Sequence, residues 1–322
     1  MRSLLKMLAV SLSVLAAAAG NAAADWPEDK PITVIHAFAP GGDALQRMLA
    51  EAMQAKLGQT VVFENRPGAG GATGTAYGAR QPADGYTLIT AYPGPAANYT
   101  NTYKSLPYKP LEDFDHIARI SQGDMMLSVR KDFPARTLQE LIDYAKANPG
   151  KVSFGNVGIG SYGHMIELAF AELAGIEVKM IPYKGSGPLV VDMLSASIDA
   201  SIDYIGETYI GQIETGAIRP LAVASEERAP DYPDIPTFKE SGITFAAAPW
   251  AGIMAPKGTP KPVIDRLNAT IGEFLASDGI AEKMKPFGQR PAFTSPEQFH
   301  QIVIDEEAKW RDIIRKHGIS NE

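Results

Sequence analysis

Apolar positions along this chain follow two alternating rhythms. Ile32 to Phe38 reads as a strand, and Asp43 to Leu57 sets Leu45, Met48, Leu49 and Ala52 on one helical face before Gly58 stops it. Thr60 to Phe63 is a second strand, followed by a glycine-rich loop, a short helical run to Arg80 and a third strand, Tyr86 to Ala91. That β-α-β-α-β order predicts a parallel sheet with covering helices. A second set follows. Met125 to Val129 is a strand. Thr137-Leu138-Gln139-Glu140 is a capping box that opens a helix to about Ala147, and Asn148-Pro149-Gly150 breaks it. Lys151 to Phe154 is a strand, His164 to Leu173 a helix, Glu177 to Pro182 a strand, Ser186 to Ser195 a helix, and Ala200 to Asp203 and Arg219 to Ala224 are short strands. A Pro-rich stretch then leads to the strand-like Trp250 to Ala255, and two helices close the chain, the last opening at the capping box Ser295-Pro296-Glu297-Gln298. The class is α/β: two lobes, each a mainly parallel sheet flanked by helices, with a cleft where strand carboxyl ends meet.

The first 24 residues stand outside this pattern. Arg2 and Lys6 precede an apolar run from Met7 to Ala19, and Ala22-Ala23-Ala24 ends in small residues, so residues 1–24 read as a secretory signal peptide. No later stretch approaches the length of a membrane span, so a soluble exported protein is expected. Losing those two cations moves the formal charge from −7 to −9, an acidity unsuited to nucleic acid or anionic lipid. The chain has no cysteine, which removes disulfides, thiolate metal sites and thiol nucleophiles. The five histidines are scattered, with none at i, i+3 or i+4 from another, so no zinc site is expected.

Candidate chemistry gathers at glycine turns. Gly158, Gly160 and Gly163 spell G-x-G-x-x-G between a strand and a helix, the spacing of a dinucleotide loop. The partner acid is missing: Glu177 opens the next strand, which ends Ile181-Pro182-Tyr183-Lys184 without a carboxylate. No cofactor is therefore expected. What the motif retains is backbone N–H groups and a helix dipole that suit a small anion, with Ser161 adding a hydroxyl. Phe38-Ala39-Pro40-Gly41-Gly42-Asp43 and Glu64 to Gly74 are further glycine junctions of the same kind. Three such turns, split between the lobes, favour a shared anion site.

The same residues carry a resemblance. Phe38-Ala39-Pro40-Gly41-Gly42, Glu64-Asn65-Arg66-Pro67-Gly68-Ala69-Gly70-Gly71, Asp84-Gly85-Tyr86-Thr87-Leu88, Gly158 to His164, Pro182-Tyr183-Lys184-Gly185 and Trp250 to Pro256 are similar, in order, to the solute receptors of tripartite tricarboxylate transporters, the Bug or TctC-like family. The resemblance spans the mature chain. It implies a periplasmic binding protein of the Venus-flytrap, type II-like kind, which takes a small carboxylate (a di- or tricarboxylate, an acidic amino acid or an aromatic acid). The receptor would deliver it as a monomer to inner-membrane permease subunits of the TctA/TctB kind. On this reading lobe 1 comprises 25–125 and 224–322, and lobe 2 comprises 126–223. By the same resemblance Phe38, Gly41, Gly42, Asp43, Ala69, Gly70, Gly71 and Ala72 hold the ligand from the first lobe, and Gly160, Ser161, His164 and Asp203 close from the second. Two departures bear on specificity: Asp43 follows Gly42 directly where the family usually has two further residues, and Ala72 stands where it often has Asn.

Other roles were weighed on the residues alone. Ser161 and His164 suggest an exported hydrolase, but Ile159 occupies the first glycine position of G-x-S-x-G. Lys184 reads as a solvated turn lysine, His36 as a satisfied core residue, and Trp250 as core packing. A receptor that feeds a signalling system instead of a permease has the same sequence features. No enzyme activity is expected.

Overall fold

The computed structural model describes residues 26–38, 40, 43–183 and 185–320; the signal segment, Gly41, Gly42 and Lys184 lie outside them. The chain begins with β1 (Ile32–His36), α1 (Ala44–Leu57), β2 (Val61–Asn65), α2 (Ala72–Ala79) and β3 (Thr87–Ala91). Leu45, Leu49 and Met53 bury one face of α1, and Gly58, at φ 69°, ends it by donating to the Gln54 carbonyl. A single π turn, Gly94–Asn98, leads into the short α3 (Tyr99–Thr102). The ten-residue β4 (Phe114–Gly123) then runs into β5 (Met125–Arg130) with Asp124 alone between them. There follow α4 (Leu138–Ala147), β6 (Ser153–Asn156), α5 (Tyr162–Ala174), β7 (Lys179–Pro182), α6 (Ser186–Leu194), β8 (Ala200–Tyr204), α7 (Glu207–Glu214) and β9 (Ile218–Val223). The last elements are β10 (Trp250–Pro256), α8 (Lys261–Leu275), α9 (Ile280–Met284), β11 (Gln289–Pro291) and α10 (Pro296–Lys316).

Among the described residues these strands form two sheets, ordered β11-β4-β10-β3-β1-β2 and β7-β6-β8-β5-β9. The expected parallel pairing holds for β1 with β2 and β3, and for β6 with β7 and β8. The sheets as wholes are mixed, because the strands nearest the crossing run the other way: β10 is antiparallel to β3 and β4, and β5 to β8 and β9. The chain leaves the first sheet through Asp124, which pairs with Arg290. The return segment runs alongside, since Ala224 donates to Met125, Ala247 to Ala224, and Gly123 to Pro249.

Alternation along the strands builds a core on each face of the first sheet. Val34, Leu88 and Ile253 point to α1 and α8, while their neighbours Ile35, Ile89 and Met254 meet Phe299 and Val303 of α10. The second sheet packs Leu127, Phe154 and Ile202 against Ile166 and Phe170 of α5, and it also takes Trp310 and Ile314 from the far end of α10. Both predicted caps form, with one difference. Ser295 and Gln298 exchange the reciprocal bonds of a capping box. Thr137 accepts from the Glu140 N–H, but Glu140 reaches back to the Arg136 N–H rather than to Thr137.

The helix that carries the second-lobe motif lies unusually close to its sheet. A methyl group at Gly163 would overlap the Ile202 carbonyl oxygen of β8. One turn on, Glu167 is fully buried, and Asn156 donates to its Oε2 at 2.9 Å. Burial pushes this carboxyl up to about 8, with nearby Asp203 adding to the shift.

Gly163→Ala should lower unfolding free energy by about 1–3 kcal/mol, because backbone has to move to admit the methyl group; urea titration reads this, and a loss below about 0.5 kcal/mol would contradict the close approach. Glu167 binds its proton more tightly folded than unfolded, where it would ionise near 4.5. Stability should therefore fall as pH rises across that window, by up to about 1.4 kcal/mol per unit from this group. Glu167→Gln should flatten that slope in calorimetric melts taken between pH 5 and 8.

Candidate ligand cleft

Three loops of the first sheet and one of the second converge at the carboxyl ends of β1, β2, β3 and β6. After β2, Gly68, Gly70 and Gly71 all take positive φ, at 142°, 62° and 101°, which turns the chain sharply into α2. A side chain at Gly71 would press on Phe38 and Pro95, at 2.9 and 3.0 Å. The turn is pinned from the other side, where the Tyr99 and Tyr103 hydroxyls donate to the Gly70 and Ala69 carbonyls, each at 2.7 Å. The Glu-Asn-Arg-Pro string supports the same corner. Asn65 donates to the Phe38 carbonyl at 3.1 Å, and the Arg66 guanidinium lies 3.6 Å from the centre of the Tyr77 ring.

The loops enclose a cleft of about 460 Å³. His36, Phe38 and Tyr92 face it from the first sheet, with the 93–102 segment and Trp250 extending that wall. Gly160, Ser161, Tyr162 and Met165 face it from the second. Phe38 and Tyr92 meet edge to face, with centroids 5.2 Å apart and planes at 89°. His36 is both core and lining: it is 3% exposed, and its Nδ1 lies 3.2 Å from the Thr90 hydroxyl. Burial lowers its pKa below the ordinary value, which favours the neutral ring.

Of the expected site residues, the structure brings Phe38, Gly160 and Ser161 to the cleft wall. Gly71 backs that wall at Phe38, and Gly70 does so at Tyr99. Ala69 is exposed beside them, and Ala72 is buried in the first turn of α2. Asp43 precedes α1 without capping it; its Oδ2 instead accepts from Arg47 at 2.9 Å and Asn65 at 3.2 Å, a network that props the Phe38 turn. His164 turns its Nδ1 to the Gly160 N–H at 3.1 Å, and burial, then His317, lowers its pKa. Asp203 lies away from the cleft lining and is 5% exposed, accepting from the Tyr204 N–H at 2.8 Å with the Ser186 and Tyr209 hydroxyls nearby. Burial raises its pKa.

The glycine loop therefore spends part of its backbone on itself. Gly158 donates to Asn156, Gly160 to His164, and Ser161 to the Gly158 carbonyl. Ser161 caps α5 by accepting from the His164 N–H at 3.2 Å, which leaves its own proton to donate. The Tyr162 and Gly163 amides open the helix, where no preceding turn supplies an acceptor. This arrangement can hold a negative group but does not set a base on Ser161, because the His164 imidazole is engaged with Gly160. Among the described residues no group of three or more His, Asp or Glu is placed for a metal ion. The scattered histidines do hide one through-space pair: His116 and His300 meet Nδ1 to Nδ1 at 3.0 Å, away from the cleft, and burial pushes His116 down to about 3.

Sequence reasoning missed Tyr92, Tyr99 and Asn98 as lining residues. They sit on a segment without helical or strand periodicity, and its signal was the cluster of Tyr and Asn beside Pro93-Gly94-Pro95.

Comparison with known proteins places the whole arrangement. The profile of the tripartite tricarboxylate transporter family receptor matches residues 45–319. Protein BugT of Bordetella pertussis is 38% identical over 97% of this chain and 98% of its own. Among solved structures, R. palustris Rpa4515 with adipate is 34% identical, with a TM-score of 0.78 over 92% of this chain and 99% of that one. MatC from Rhodopseudomonas palustris with bound malate is 28% identical, with a TM-score of 0.72 over 89% of this chain and 99% of that one. A match of this length, joined to two mixed sheets that share a cleft at their strand ends, means that the chain belongs to the tripartite tricarboxylate transporter receptors, the solute-binding family of the Bug proteins.

Proposed function

We propose that this receptor takes a small organic carboxylate in the cleft and hands it to a tripartite permease in the inner membrane. The observation that carries the reading is the cleft itself, walled by Phe38 and Tyr92 from one sheet and by Ser161 and Tyr162 from the other. A ligand that touches both walls gains all its contacts only when they are close together, so binding favours a closed form. The bound adipate of Rpa4515 and malate of MatC support a carboxylate as the anchoring group.

The carboxylate is assigned to the start of α5. There the Ser161 hydroxyl, the Tyr162 amide and the positive end of a 13-residue helix converge. The turn at Ala69–Ala72 is assigned to the facing side, and by the family resemblance so are Gly41, Gly42 and Asp43, whose carboxylate accepts from Arg47 and Asn65. His164 and Asp203 act from behind, as supports of the glycine loop and of β8. The two lobes are assigned to the two sheets, 25–125 with 224–322 and 126–223, with Phe238, Ala247 and the end of α10 packed on the second. Arg2, Lys6 and the apolar run after them support export to the periplasm. The receptor binds as a monomer and without turnover.

Titration calorimetry of the purified receptor against mono-, di- and tricarboxylates should find at least one saturable ligand with no product formed. Ser161→Ala should weaken it roughly tenfold, the worth of one hydrogen bond to a charged group. Asp203→Asn should change affinity less than Ser161→Ala. Equal affinity in wild type and Ser161→Ala would remove the carboxylate from the α5 start, and saturation by no acid would overturn the receptor reading for carboxylates.

A further inference from the structure

We propose that Glu167 is a positioning residue of the anion seat, that it serves as the neutral acid, and that the receptor therefore takes up protons when it takes up its ligand. This rests on the carboxylate assigned to the start of α5 and deepens that reading. The geometry is a chain of three groups. Glu167 lies on α5, six residues past Ser161, and is fully buried. The Asn156 side chain, at the end of β6 and 1% exposed, donates through Nδ2 to Glu167 Oε2 at 2.9 Å. Its Oδ1 accepts from the Gly158 N–H at 3.2 Å, and the Gly158 carbonyl accepts from the Ser161 N–H at 3.1 Å. A carboxyl inside the lobe thus fixes which way one amide points, and that amide holds the loop that carries Ser161.

The surroundings decide the charge. Asp203 on β8 and Tyr209 on α7 are the titratable groups that act on Glu167, and Asn156 of β6 is its side-chain donor; none of them is a cation. On α10, which packs on the same helix, Lys316 and His317 turn to Glu172, and Glu306 turns to Trp310. Asp203 has the richer set of donors, the Tyr204 N–H at 2.8 Å with the Ser186 and Tyr209 hydroxyls nearby. Glu167 has one amide, and its Oε1 has no partner among the described residues. Of two neighbouring buried carboxyls the less solvated one keeps its proton, so the charge of this pair belongs on Asp203. Six residues of helix rise about 9 Å, which puts a carboxylate at the start of α5 roughly 12 Å from Glu167. A charge on Glu167 would act on that ligand through protein, and would weaken its binding about three- to tenfold at an effective dielectric of about 20 to 40. The linkage is reciprocal: a bound anion makes the Glu167 proton harder to remove, so binding near the titration point draws in a fraction of a proton.

The test is calorimetric titration of the full receptor with adipate and with malate from about pH 7 to pH 9, a range in which both acids stay ionised. Two buffers of different ionisation enthalpy count the protons, and the series is repeated on Glu167→Gln and Asn156→Ala. In wild type the affinity should fall about three- to tenfold across the range, and binding near pH 8 should take up about a quarter to half of a proton. Glu167→Gln keeps an acceptor for Asn156 and cannot ionise, so its affinity should not change with pH and its proton uptake should vanish. Asn156→Ala removes the prop from the loop and should weaken binding about threefold or more at pH 7. A flat wild-type profile overturns the proposal, as does a fall with proton uptake that survives Glu167→Gln, or wild-type affinity in Asn156→Ala. Each of these results leaves the carboxylate receptor reading intact. Failure of both acids to bind at pH 7 would bring down that reading for acids of this size together with this proposal. Should a variant not fold, the wild-type proton count still decides, and a count of zero overturns the proposal.

Discussion

Everything in this molecule hangs on one helix that belongs to two cores. The first turns of α10 bury Phe299 and Val303 against the first sheet, and its later turns bury Trp310 and Ile314 against the second. At 21 residues it is about 32 Å long, the span of a small domain. A rod keyed into both halves denies them independent drift. At mid-helix sits Glu306, 5% exposed, accepting from Trp310 Nε1 at 2.6 Å and facing Tyr162 and Trp250, two residues that also line the cleft. The helix thus touches two residues of the cleft wall without contributing to the lining itself.

The glycine fingerprint at Gly158, Gly160 and Gly163 is explained by three different local needs. Gly158 and Gly160 take φ of 127° and 75°, which other residues resist, and Gly163 lets a helix approach a strand carbonyl. Dinucleotide loops need the same things, so the spacing converges without the cofactor. Several of the loop's N–H groups close it on itself through Asn156 and His164, which leaves the hydroxyl of Ser161 and the first amides of α5 without such internal partners.

How much of this was legible in the sequence depends on what kind of physics each element expresses. Helices with a clear apolar face, such as α1, and helices announced by caps, such as α4 and α10, were visible because their signals are local. Strand β4 was not. Its ten residues interleave His116, Arg119, Ser121 and Gln122 with apolar ones, and most of these polar groups are accommodated by partners far along the chain, such as His300 for His116 and Ala292 for Arg119. The sheets were expected to be mainly parallel because strand–helix alternation signals crossovers, whereas the antiparallel strands enter through connections between sheets that leave no periodic trace. At the site, turn glycines and the Ser161 cap could be read directly. Asn98 could not, since it reaches the cleft wall on a π turn that leaves no periodic trace in the sequence.

The pin from the Tyr99 hydroxyl to the Gly70 carbonyl has a consequence for how such receptors diversify. The glycine turn and the 92–102 segment of the cleft wall are different pieces of chain, held in register by tyrosine hydroxyls donating to main-chain oxygens. The acceptors are carbonyls, yet the joint still requires glycine at position 70, where a Cβ would lie 2.5 Å from the Tyr99 hydroxyl. The rest of the 92–102 stretch can change while Tyr99 keeps the turn in shape. A scaffold divided in this way can vary one wall of the cleft while Tyr99 and the glycine turn keep the other.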